Sequence, residues 1–100
     1  MANLPPSKDH RISLPEAAEL TRRYRDGTIR GGMLWRKDLD ALLAQPGCAG
    51  LRIYLGRHAD GRDTFVLTGV NAEGHNMEEG VLLEDLFPCP PYCDGGLLSS

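Results

Sequence analysis

Leu51-Arg52-Ile53-Tyr54-Leu55 is the stretch that decides the fold. Its apolar residues recur at every second position. Leu51, Ile53 and Leu55 therefore share one face of a strand, and Arg52 and Tyr54 share the other. A second run from Asp63 to Val70 is rich in β-branched and aromatic residues and reads as another strand. The intervening Gly56–Gly61 is turn-rich and ends in Asp60-Gly61, a hairpin signal. Asn71–Gly74 is a further turn, and a third strand is expected between His75 and Leu83.

Toward the N-terminus the period changes to that of a helix. Ser13 and Glu16 have the spacing of a capping box, and Pro15 suits a first turn whose N–H groups lack partners. Ile12 and Ala17 occupy staple positions. Leu14, Ala17, Ala18, Thr21 and Tyr24 then form one stripe. Arg22, Arg23 and Arg25 fall at the end, where cations complement the helix dipole, before Asp26-Gly27. Residues 28–34 are a connector with room for a short extended piece. Trp35, Leu39, Leu42 and Leu43 define a second helix over about 36–45, stopped by Pro46-Gly47.

These elements predict an α+β fold: two N-terminal helices packed on a small antiparallel β-meander of two or three strands. Residues 1–11 read as a flexible arm, 12–85 as a single α+β domain and 86–100 as an irregular Cys/Pro-rich tail. In that tail Pro88, Pro90 and Pro91 remove backbone donors, so it reads as a strap that Leu86 and Phe87 tie to the core. At 100 residues the chain can bury roughly 65% of its unfolded surface, enough for a modest core.

Charge is unevenly distributed. All 11 basic residues lie at or before Arg62, whereas the segment from Asp63 onward carries seven acids and no Lys or Arg. Pairing of the two halves within one fold accounts for this asymmetry. A net charge of −3 disfavours a nucleic-acid partner. No apolar run reaches the ~18 residues of a membrane span, and the N-terminus lacks the pattern of a signal peptide, so the expected address is cytoplasmic.

The motifs Gln45-Pro46-Gly47-Cys48, Leu51 to Gly56, Gly74-His75-Asn76-Met77 and Cys89-Pro90-Pro91-Tyr92-Cys93 occur together with Ile12-Ser13-Leu14 and Thr21 to Arg25. In this combination the chain resembles a family of short bacterial proteins of the Bacteroidetes type. No activity is established for that family. The resemblance implies a common fold over about residues 12–93 and directs attention to Cys48 and the Cys89/Cys93 pair.

Three cysteines with one histidine would make a tetrahedral zinc site, and His58 or His75 can supply the nitrogen. The C-x3-C spacing of Cys89 and Cys93 also suits a redox pair. The plainer alternative makes Cys48 a small buried hydrophobe at a strand entrance, Cys89 and Cys93 packed or structurally bridged, and His58 and His75 solvated turn residues. Catalysis by Cys48 would need His75 as its base, and no local signature supports it. Gly27–Gly32 lacks the Lys and Ser/Thr of a phosphate loop. Glu78-Glu79 and Glu84-Asp85 lack the pattern of a calcium loop.

Arg52 and Tyr54 on a rigid strand, with Tyr92 on the tail, have the composition of an interaction surface. The sequence therefore favours a small non-enzymatic binding or accessory module with a protein partner or self-association, no membrane and no cofactor. One alternative is zinc binding or redox switching through Cys48, Cys89, Cys93 and His75. Another makes the Cys89–Cys93 tail the substrate of a modifying enzyme.

Overall fold

The computed structural model describes residues 4–24, 26–27 and 29–99. The expected helix-end role of Arg25, and residues 1–3 of the arm, lie outside these. The architecture is α+β: two helices and two small antiparallel sheets, of two and three strands. The chain forms two compact units, one built on Leu34–Leu86 and the other on Ser7–Met33 with Phe87–Ser100.

In the Leu34–Leu86 unit, helix α2 (Arg36–Leu43) precedes strands β2 (Cys48–Arg57), β3 (Asp63–Asn71) and β4 (Leu82–Glu84), ordered β2-β3-β4. The expected hairpin is present. Ile53 faces Leu67 and Leu55 faces Phe65, with a bulge between Cys48 and Gly50. The turn closes where His58 N–H donates to Arg62 O at 2.8 Å. Gly61 adopts φ 94°, which a side chain would resist. Asp60 accepts from the Arg62 backbone N–H and then from its guanidinium, and both hold its carboxyl below the usual aspartate range. The expected third strand forms at its C-terminal end, as β4. Asn76 makes a single bridge to Val70.

Helix α2 packs against all three strands through the fully buried Leu42. Gln45, just past the helix, lies over Gly69, where an added Cβ would meet Gln45 Nε2 at 3.1 Å and Cys48 Sγ and Met77 Sδ at 3.2 Å. This locates the covered part of the sheet face that carries Leu51, Ile53 and Leu55.

The expectation that this whole face is core is corrected. Leu51 is half-buried, but Ile53 is 59% and Leu55 80% exposed, while Leu67 across from Ile53 is 4% exposed. The reason is length. A helix of eight residues spans about 12 Å, and a strand of ten residues about 33 Å. One such helix covers only one end of the hairpin.

In the other unit, helix α1 (Leu14–Arg23) starts with the full capping box: Glu16 N–H donates to Ser13 Oγ and Ser13 N–H to Glu16 Oε1. Its stripe is shallower than its periodicity implies. Ala18 is buried, whereas Leu14 and Tyr24 are exposed. The helix packs against η1 (Leu97–Ser99), a 3-10 turn. Strand β1 (Gly31–Met33) pairs with β5 (Phe87–Cys89), from Gly31 opposite Cys89 to Met33 opposite Phe87. The proline-bearing strap thus supplies the edge strand of a two-stranded ribbon, a position that tolerates Pro88.

Candidate functional site: the open face and edge of the sheet

The Leu34–Leu86 unit leaves one end of its sheet uncovered. Ile53 and Leu55 project there beside the half-buried Phe65, and the Arg57–Asp63 pair at 3.0 Å closes the apolar surface. Strand β2 is also the sheet's edge. Among the described residues it pairs with β3 alone, so every second residue directs its N–H and C=O outward.

The opposite face of β2 carries Arg52 and Tyr54, as expected, and Asn76 links them. Arg52 Nη1 donates to Asn76 Oδ1 at 2.6 Å, and Asn76 Nδ2 donates to the Tyr54 hydroxyl at 2.8 Å. Arg52 also reaches Gly74 O at 3.4 Å. Both side chains are ordered by the 74–76 turn, which combines a structural role with surface exposure. Tyr92 belongs to the other unit. Its ring stands edge-on to Phe87 at 5.3 Å between centroids, which gives it a packing role in the strap.

Cys89 and Cys93 form a disulfide, with Cα atoms 4.8 Å apart. Bonded sulfurs offer no thiolates, so a metal centre using this pair requires its reduction. Cys48 is a free, half-buried thiol whose Sγ donates to Gly50 O at 3.2 Å. His75 is exposed, and its backbone N–H donates to Asn71 Oδ1 at 3.0 Å.

His58 departs from its expected solvated state. Its Nε2 lies 3.1 Å from Glu84 Oε2, and Thr64 Oγ1 donates to the same oxygen at 2.8 Å. One ligand atom each from His58, Glu84 and Asp85 lies within 4.8 Å of the others. An imidazole with two carboxylates is a donor set for a divalent metal, although the 3.1 Å contact already engages His58 with Glu84. The sequence signal was the hairpin register, which returns residue 58 to the start of β3 and hence to the end of β4.

A cleft of about 190 Å³ lined by Leu20, Thr21, Tyr24, Arg30 and Leu98 lies in the α1 unit. It is below the roughly 300 Å³ at which small-molecule pockets begin. Among the described residues no helix is long and apolar enough to cross a membrane. Comparison with protein-family models, curated proteins and solved structures gives no match to this chain.

Proposed function

We propose that the chain is a small non-enzymatic binding module acting through protein–protein contact, with the open end of the three-stranded sheet as its docking surface. One observation carries this reading: Leu55 and Ile53 are 80% and 59% exposed on an edge strand whose outward backbone groups have no strand partner among the described residues. Apolar side chains beside an unpaired edge support strand addition, in which backbone hydrogen bonds give affinity and alternate side chains give specificity. The test compares complexes of the full chain in its host by native cross-linking, for the wild type and Leu55→Glu. The expected result is a defined complex lost in the variant. Identical products from both, or none from either, would overturn the reading.

The Cys89–Cys93 disulfide favours a second reading, a redox switch in the strap. Exchange with a dithiol opens the bond, leaving two thiols on this chain and a disulfide on the reductant. Thiol titration at graded dithiol concentrations tests it. A pair that stays oxidised across the range of cellular reductants would remove this reading.

A further inference from the structure

We infer that the occupant of the β2 edge is a second copy of this chain, added by antiparallel β2–β2 pairing about a two-fold axis at Ile53. This inference rests on the binding-module reading and names its partner.

The edge lacks the usual protections against such pairing. Cys48–Arg57 contains no Pro and no Lys, and an edge strand is ordinarily blunted by such residues, by bulges or by inward charges. The bulge is confined to Cys48/Gly50, which leaves Leu51–Arg57 in unbroken register with β3. Both charges on the strand are already engaged, Arg57 by Asp63 and Arg52 by Asn76. Neither needs to be stripped of a solvated partner for a strand to approach.

The strand is also self-complementary in one register. An axis at Ile53 sets Ile53 against its own copy, Leu51 against the copy's Leu55, and Arg52 against the copy's Tyr54. Gly50 then meets Gly56, so no bulky side chain obstructs the ends. Apolar residues meet apolar ones on the open face, and the three-stranded sheet continues into its copy. An axis one residue later, at Tyr54, opposes Leu51 to Arg57. An axis one residue earlier opposes Arg52 to its own copy, and directly opposed like charges repel. Register is therefore chosen by the side chains as well as by the backbone.

Pre-ordering adds to this. The Asn76 bridge holds Arg52 and Tyr54 through hydrogen bonds of 2.6 and 2.8 Å, so their pairing across the axis freezes few additional rotamers. A two-fold contact of this kind uses the same patch on both partners, as most homodimers do.

Sedimentation equilibrium of the full, oxidised chain over a wide concentration range is the test, run beside Ile53→Lys and Leu55→Lys. Both positions are exposed, so the variants are expected to keep the wild-type circular dichroism and, at concentrations where the wild type is monomeric, its melting profile. The wild type should show a concentration-dependent mass approaching twice that of the monomer. Ile53→Lys, which places a charge against its own copy, should weaken association at least tenfold. Amides of Leu51–Leu55 that point outward should gain exchange protection as concentration rises. A wild type that stays monomeric at millimolar concentration overturns the inference, as does a dimer unchanged by both variants. If the monomeric chain still loses a different protein complex with Leu55→Glu, only the second-copy occupant fails, and the binding-module reading stands.

Discussion

Gln45 Oε1 accepts a hydrogen bond from the Val81 backbone N–H at 2.8 Å, while Gln45 Nε2 donates to Leu42 O at 2.8 Å. One amide thus ties the end of α2 to a segment 36 residues further along the chain. Gln45→Ala leaves the half-buried Val81 N–H without its acceptor. A loss of about 1–3 kcal/mol is expected for such an orphaned donor, read as a lower urea midpoint at unchanged slope.

Leu42 is the fully buried side chain of the Leu34–Leu86 unit. Leu42→Ala removes its methyl groups and leaves a cavity, at a cost of about 2–5 kcal/mol. Leu55→Ala, by contrast, should change stability by less than about 0.5 kcal/mol, because that side chain is 80% exposed. Equal losses for the two in chemical denaturation would contradict the placement of α2 over only one end of the sheet.

Gly69→Ala tests the close approach above the covered end. The new methyl would stand 3.1–3.2 Å from Gln45, Cys48 and Met77 side-chain atoms. Overpacking of this kind costs about 1–3 kcal/mol. The double variant Gly69→Ala, Cys48→Ala should recover part of the loss, and thermal melts of the pair measure the coupling.

The sequence made the hairpin legible because alternation and turn chemistry are local. Leu51 through Leu55 specify which side chains share a face, and Asp60-Gly61 specifies where the chain reverses. Whether that face is covered is not a local property. It depends on the reach of α2, whose eight residues end at Leu43 with Ala44 as the cap and leave Leu55 80% exposed. The β1–β5 ribbon was hidden for a similar reason. Pairing Gly31–Met33 with Phe87–Cys89 joins segments more than fifty residues apart, and three-residue strands carry almost no periodicity. His58 was equally hard to place, since its contact with Glu84 exists only once β4 has joined the sheet.

Reducing the Cys89–Cys93 bond should loosen the β1–β5 ribbon. Closing so short a loop is worth about 2 kcal/mol on the loop-entropy estimate. The amides of Arg30 and Tyr92 donate to Cys89 O and Pro88 O at 2.6 and 2.9 Å and report on it directly. Their hydrogen exchange should accelerate in the Cys89→Ser, Cys93→Ser variant, while amides in the β2–β3 hairpin keep their rates.

Acid should weaken the start of α1. The Ser13 hydroxyl and then its backbone N–H donate to Glu16 and hold its carboxyl below the ordinary value of 4.5. A carboxyl with a depressed folded-state pKa contributes its stability above the unfolded value and loses it as pH falls through the folded one. The helical signal of α1 should therefore fade below pH 4.5, and Glu16→Gln should remove that dependence. An NMR titration of residues 13–17 follows both.

Because Met33 and Phe87 are partners in the β1–β5 ribbon, the polypeptide departs toward Leu34 and comes back from Leu86 through neighbouring positions. Within the ribbon itself, the two strands come from distant parts of the sequence and share no loop of their own. A tight turn joining Met33 to Phe87 would convert that long-range pairing into a local hairpin, so ribbon formation would no longer wait on the closure of a loop of more than fifty residues.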